Sequence, residues 1–378
     1  MSTPSRPATL PSLPNPVQRT LERMGLPAAD FAGLAGPLGV TPKDTIYAQG
    51  TLKLHHFRPQ ADSVYRVPVL IVTSLVNQPY ILDLVPGQSM VEFLLKQGYD
   101  VYMIEWGRPR KEHQHLTLED HVLDRLPACV QQVLQHSGER ELSIIGYCVG
   151  GLLAVLWAAL LAGAQPTSAA GAGTAQAKTG ANTRTQAHQG RSGTSPLKNL
   201  GCMATPVNSD GLESLKAWMG DSFDEEALIA QHGNVPAEWV QNALRARRPF
   251  GKVAGAMNLL NQADKQEVVR SNLRMGKWET DNIPFPGGVF RQMVNDFLRG
   301  NQLVRGQWTL GGQRVDLGAI RAPFLHLLAQ EDHITPYASS RDLVQLVGSA
   351  DKQELILKGG HVGLVAGRGA ELRMWPAL

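Results

Sequence analysis

The chain has 378 residues, 43% of them hydrophobic and 18% charged, a composition too apolar for a wholly disordered chain and too polar for a multi-span membrane protein. At roughly 100 to 200 residues per domain, this length predicts one large domain or two small ones. The 36 Lys and Arg against 33 Asp and Glu leave a formal charge of +3, without the concentrated basic stripe that a phosphate backbone requires, so the charge argues against nucleic acid as a partner.

The first 20 residues contain five prolines and no continuous apolar stretch, so residues 1–18 are read as disordered and nothing there implies export. Residues 44–57 (DTIYAQGTLKLHHF) alternate like one or two half-buried strands, and 67–74 (VPVLIVTS) form a continuous apolar strand. A helix over 88–97, stopped by Gly98, a strand over 99–104 and a second helix follow. Thr117 is an N-cap candidate for that second helix with Asp120 three residues on, and Val122, Leu123, Leu126, Cys129, Val130, Val133 and Leu134 repeat at helical spacing. The run from Ile144 to Gly163 (IIGYCVGGLLAVLWAALLAG) carries no charge over 20 residues, long enough for a membrane span. Three glycines crowd its start, however, so a strand, a sharp turn and a buried helix explain it better.

Between 163 and 196 the sequence turns to Ala, Gly, Thr, Ser and Gln, which cannot offset the entropy of ordering by burial, and it is read as a disordered insertion within one domain. A strand resumes at 198–205. Helical patterns over 213–219, 225–231, 237–246 and 287–298 suggest a helical cap at 209–305. Strand, helix, strand then return at 323–329, 339–347 and 352–357, so residues 40–208 and 306–378 are expected to form one α/β core around a mostly parallel sheet, with the cap inserted before the strand that carries the acid.

The sharpest local signal is Gly146-Tyr147-Cys148-Val149-Gly150-Gly151, a G-x-C-x-G elbow between strand and helix. Small neighbours let the chain turn so tightly that the apical side chain points out of the sheet, and the helix N-terminus beside it favours a thiolate. Taken alone, Cys148 could be a buried cysteine beside a glycine-rich turn. An elbow of this kind needs an acid and then a histidine downstream. Asp332, in QEDHITP after the strand ending at Ala329, and His361, in KGGHVG after the strand ending at Leu357, come in that order. Each alone could be a turn residue or an ordinary loop histidine; together with the elbow they predict a nucleophile, acid and base at the carboxyl ends of strands. His333 is expected only to support them. The oxyanion hole is assigned to the N–H of Val149 and that of Val76, with Asn77 the neighbouring alternative. Cys129 and Cys202 read as core, and the absence of any C-x-x-C pair fits a reducing cytoplasm. His55, His56, His113, His115 and His121 form no metal set and are expected to be solvated; no metal or other cofactor is called for.

The elbow GYCVGG, the upstream segment SLVNQPYILDLVPGQSMVEFLLKQGYDVYMIEWGRP, and the segments CMATPV, MGKWETDNIPFPGGVFRQ, QEDHITP and GGHVG together resemble the catalytic subunit of polyhydroxyalkanoate synthases. The elbow alone is shared with lipases, which use serine. The resemblance implies an α/β-hydrolase fold and an acyltransferase that polymerises (R)-3-hydroxyacyl-CoA, with 3-hydroxybutyryl-CoA the expected monomer, and releases CoA through an acyl-cysteine intermediate. In this scheme the CoA thioester is a substrate, not a cofactor, and Cys148, Asp332 and His361 take the family's nucleophile, acid and base positions. Asp332 either orients His361 or helps deprotonate the substrate hydroxyl. The short chain resembles the class that works with a second, smaller subunit at cytoplasmic polyester granules, holding the growing polyester chain; homo-oligomerisation stays open. Three departures stand out: the insertion, Glu105 where aspartate usually precedes Trp106-Gly107, and an end at Leu378 where family members continue the last helix. A hydrolase of esters or thioesters with the same triad is the alternative function, and a catalytically silent granule scaffold the third. Trp218, Trp239, Phe250, Trp278, Phe285, Phe290 and Phe297 could line a water-excluding cap, but most are expected to be plain core.

Overall fold

A computed structural model describes residues 36–163, 195–239, 242, 266–367 and 369–378. The expectations for residues 1–18, for nearly all of 163–196, for most of 240–246 and for Phe250 lie outside the described residues.

Strands β1 (Lys43–Gln49) and β2 (Leu52–Phe57) form a hairpin, followed by β3 (Val69–Val72), β4 (Val101–Glu105), β5 (Leu142–Tyr147) and β6 (Leu197–Met203). A detached hairpin, β7 (Thr309–Leu310) with β8 (Gln313–Arg314), precedes β9 (Phe324–Ala329) and β10 (Lys352–Leu357). Eight strands make one sheet in the order β1-β2-β4-β3-β5-β6-β9-β10. The pairs β1–β2 and β2–β4 are antiparallel and the rest parallel, as the alternation of strand and helix predicts. Strands β3, β4 and β5 are almost wholly buried, and apolar apart from Glu105 and Ser143, as expected of central strands covered on both faces. From β3 the chain moves to β4 on one side, and from β5 to β6 on the other. The carboxyl ends of the adjacent strands β3 and β5 therefore mark the point where such sheets bind ligands.

β3 is shorter than the strand expected over 67–74. Thr73 turns its hydroxyl to the Ile104 carbonyl at 2.7 Å, and its own carbonyl accepts the indole N–H of Trp106 at 2.8 Å. Helix α1 (Met90–Lys96) starts where the Ser89 hydroxyl accepts the Glu92 N–H, and Gly98 ends it at φ +87°. Thr117 and Asp120 exchange hydrogen bonds as expected of a cap, but wider π turns run over Asp120–Arg125 before helix α2 (Leu126–Ser137). Pro127, which lacks an N–H, sits where the two meet. Helix α3 (Val149–Gly163) is buried on all sides from Val149 to Leu160. The uncharged run is thus β5, the elbow and a central helix; no described helix is long and apolar enough to cross a membrane.

Between β6 and β9 come α4 (Glu213–Trp218), α5 (Glu225–His232), α6 (Gln266–Thr280) and α7 (Gly287–Gln292), the last continued by π turns over Met293–Arg299. Polar residues dominate α6, which is not among the helices expected from the sequence. Trp278, Phe285, Phe290 and Phe297 are buried, as expected; Trp218 is 43% exposed and stacks on Trp239 at 4.6 Å. Beyond β9 the expected single helix is two short ones, α8 (Tyr337–Ser340) and α9 (Asp342–Leu346). Trp375, near the end of the chain, is buried 5.6 Å from the Phe93 ring on α1. Two histidines expected at the surface are in fact interior. His55 bridges Glu105 at 2.8 Å and Thr45 at 3.1 Å, and burial lowers the pKa of His121 to about 4 beside Trp106. A half-buried His56 meets Asp100 at 2.7 Å.

Candidate active site

Cys148 occupies the single residue between β5 and α3, with φ +55°. A non-glycine side chain in this left-handed region is held there by its surroundings. The Cys148 N–H donates to the Met203 carbonyl at 2.9 Å, continuing the β5–β6 ladder, while its carbonyl accepts Gly151 and Leu152 N–H and starts the helix. Each glycine of the elbow answers a close approach. A Cβ at Gly150 would overlap the carbonyl oxygens of Val72 and Thr73; one at Gly151 would overlap the Thr205 hydroxyl; one at Gly146 would overlap Gly151 itself. Such contact is what lets α3 start directly above the sheet. Substituting Gly150→Ala is accordingly expected to destabilise the protein by about 2 kcal/mol through forced overlap, measured by urea unfolding; parent-like stability would show that α3 can retreat from β3.

Asp332 and His361 arrive from neighbouring strands whose pairing runs on into their loops. The Gln330 N–H donates to the Leu357 carbonyl at 2.8 Å and the Glu331 N–H to the Gly359 carbonyl at 2.9 Å. Gly359, at φ +137°, makes a bend that a side chain would strain. Asp332 Oδ1 accepts the Ile334 and Thr335 N–H groups at 2.9 and 2.7 Å, so Asp332 also closes its own turn. Its Oδ2 accepts a hydrogen bond from His361 Nδ1 at 2.7 Å. A carboxylate only accepts, which assigns the proton to Nδ1 and leaves Nε2 as the nitrogen for exchange.

All three side chains are enclosed: Cys148, Asp332 and His361 are 6, 7 and 3% exposed. Burial by itself would push the His361 pKa down. The charges of Asp332 and Cys148, with a hydrogen bond from each side chain, override it and raise that pKa to about 10. His361 thus interacts with Asp332 on one side and with Cys148 on the other. Cys129 and Cys202 differ from Cys148 in having no histidine partner: burial pushes both thiols up to about 12, as expected of core residues.

Two features of the site have no sequence signal. The Tyr147 ring packs on the His361 imidazole at 5.1 Å, and its hydroxyl donates to the His361 carbonyl at 3.4 Å. Burial, then the charges of Cys148 and Asp332, hold that phenol well above its ordinary pKa, so it stays neutral. The second feature surrounds Val76. Its N–H makes only a long 3.4 Å contact with Ser74 Oγ, while its carbonyl accepts the Ile283 N–H at 3.0 Å from the segment after α6. In that same segment Asp281 receives the Tyr80 hydroxyl at 3.2 Å and pairs with Arg108, which also donates to the Asn282 carbonyl at 3.0 Å. Among the described residues no three His, Cys, Asp or Glu side chains are grouped as metal ligands.

A model of the N-terminal part of poly-beta-hydroxybutyrate polymerase (PhaC) matches residues 32–94, and one for the alpha/beta hydrolase fold matches 67–172. The poly(3-hydroxyalkanoate) polymerase subunit PhaC of Allochromatium vinosum is 32% identical over 344 residues, an overlap of 90% of this chain and 88% of that protein. The chain belongs to the PhaC family. The PhaC subunit of Synechocystis is 29% identical over 351 residues, 90% of this chain and 84% of that one. That of Haloferax mediterranei is 30% identical over 344 residues, and there this chain spans only 63% of the relative's length. The alpha/beta hydrolase match, over residues 67–172, contains the elbow, Cys148 and the loop of Val76.

Proposed function

We propose that this chain polymerises (R)-3-hydroxyacyl-CoA into polyhydroxyalkanoate, with Cys148 as nucleophile, His361 as base and Asp332 as the carboxylate that orients it. One observation carries the site assignment: an Asp332–His361 pair at 2.7 Å, buried with Cys148 at the head of α3, in a member of the PhaC family. A thiol suits the task because thioester exchange between two sulfurs lets the acyl group wait on the enzyme while CoA leaves.

In the acylation step the Cys148 proton passes to His361 Nε2 and Sγ bonds to the thioester carbonyl carbon. The carbonyl oxygen takes the charge between the N–H groups of Val149 and Val76. When the carbon–sulfur bond to CoA breaks, the departing sulfur takes the proton back from His361. For elongation, His361 accepts the proton of a 3-hydroxyl, whose oxygen attacks the acyl-cysteine; an ester bond forms, the Sγ–carbon bond breaks and Cys148 is reprotonated. No redox step or external proton source enters this balance.

Asp332 supports the orienting role over direct contact with the substrate hydroxyl. Both its oxygens are engaged, by two backbone N–H groups and by His361, and its side chain is 1% exposed behind the imidazole. The described residues between 209 and 305 serve in this reading as the cap that keeps water from the acyl-cysteine, which separates a polymerase from a hydrolase. A smaller partner subunit and attachment to the polyester granule follow from family resemblance, and the relatives' own names call them subunits. Incubation with 3-hydroxybutyryl-CoA tests the reading: free CoA with insoluble polyester is expected, soluble 3-hydroxybutyrate would make the chain a hydrolase, and no CoA release would leave it a scaffold.

A further inference from the structure

The loop that leaves β3 carries the proposed second oxyanion donor, yet the sheet does not hold it. The β3–β5 pairing ends at Val72 opposite Gly146, and α3 presses its first turn against Val72 and Thr73. The chain therefore emerges beside Cys148 just as its ladder stops. Three consecutive residues are then each bonded to one distant segment. The Val76 carbonyl accepts the Ile283 N–H at 3.0 Å, the Asn77 side chain donates to Asn282 Oδ1 at 2.9 Å, and the Gln78 carbonyl accepts the Trp278 indole N–H at 2.9 Å. Asn282 is 7% exposed and Trp278 is buried, while Val76, Asn77 and Gln78 are half-buried; the bonds to the Val76 and Gln78 carbonyls hold the peptide planes on either side of Asn77, whose side chain is held by that of Asn282. The Val76 N–H, with only its long contact to Ser74 Oγ, keeps its capacity for a stronger acceptor.

We infer that Asn282 and Trp278 are positioning residues for the oxyanion hole: the 278–283 segment, some 200 positions downstream, sets the Val76 N–H toward the thioester oxygen. This rests on the reading of Cys148 as the acylated nucleophile. Donors aimed in advance at developing charge stabilise a transition state because they need not reorganise during the reaction. Loss of the clasp removes that advance orientation while leaving Cys148, His361 and Asp332 in place, since none of the three touches it through a hydrogen bond described above.

Two reactions at the same sulfur separate this role from a general structural one. Acylation by 3-hydroxybutyryl-CoA passes through an oxyanion; alkylation by iodoacetamide displaces iodide at a saturated carbon and forms none. In Asn282→Ala, and in Trp278→Phe, which keeps an aromatic ring and deletes the donor, single-turnover acylation of Cys148 is expected to slow about tenfold to a hundredfold in its maximal rate, the scale that a small misplacement of a catalytic group produces. Alkylation of Cys148, followed on its own peptide by mass spectrometry, is expected to keep the parent rate. Parent-like acylation in both variants overturns the inference, as does a parallel fall of both reactions, which would mean that the site as a whole had loosened. Should Asn282→Ala not fold, Trp278→Phe decides alone. If the parent chain is alkylated but never acylated, the functional reading fails, and this inference with it.

Discussion

Replacing Cys148 with alanine is expected to abolish acyl labelling by 3-hydroxybutyryl-CoA and to lower CoA release by at least about 10⁴-fold, the scale seen when the nucleophile of an interdependent catalytic set is removed. The fold should survive. The residue sits at φ +55°, but Ala204, one residue beyond β6, adopts φ +47° in the same sheet, so this backbone already accommodates alanine in the left-handed region. The Cys148 N–H to Met203 bond and the bonds that start α3 use main-chain atoms only. The other thiols, Cys129 and Cys202, are buried in the core with pKa values pushed up to about 12, and neither can replace the lost sulfur. Labelling is read by mass spectrometry of the intact protein and CoA by its free thiol. Persistent labelling in the variant, with the parent's thermal midpoint, would show that the acyl group resides elsewhere and would remove the basis of the mechanism.

Much of this site is legible in the sequence because the steric demands of the elbow are local. Gly146, Gly150 and Gly151 each stand where a Cβ would strike backbone or a neighbouring side chain, and so small a turn leaves a pattern within six residues. Order along the chain does the rest for Asp332 and His361, since β9 and β10 are adjacent parallel strands and residues just past their ends must meet. Asp332 illustrates why the plain and the functional readings need not compete: one oxygen closes its turn and the other holds His361. What stays hidden is long-range or polar. Helix α6 is too polar overall to stand out as a core element, and no motif links Asn77 to Asn282 across 205 positions. His55 and His121 look like surface residues in a list of histidines, but their burial depends on partners in other elements.

The Asp332→Asn exchange separates the two roles open to the carboxylate. His361 carries a pKa of about 10, although burial pulls it down, because the charges of Asp332 and Cys148 outweigh that pull. The folded value lies above the ordinary 6.5, so the imidazolium favours the fold fully below about pH 6.5 and the contribution is lost as pH rises through about 10. Activity follows the same sign, since His361 must be protonated to hand a proton to the departing sulfur: parent acylation is expected to fall on the alkaline side near pH 10. An asparagine keeps the size and removes the charge, so that alkaline limb should move to lower pH. It also weakens His361 as a base. A thiol gives up its proton readily and tolerates a weaker base, whereas an alcohol does not. Elongation should therefore fall about 10³- to 10⁴-fold, as when a triad carboxylate is neutralised, and acylation by much less. The limb moves in either reading, because the Asp332 charge acts on His361 whatever takes the hydroxyl proton; if Asp332 itself took that proton, acylation on the acid side of its limb, a step in which no hydroxyl reacts, would keep the parent rate. A measurable fall of single-turnover acylation on the acid side of the displaced limb assigns Asp332 to His361; a parent rate there, with elongation lost, assigns it to the substrate, and would require the carboxylate to emerge from behind the imidazole during elongation.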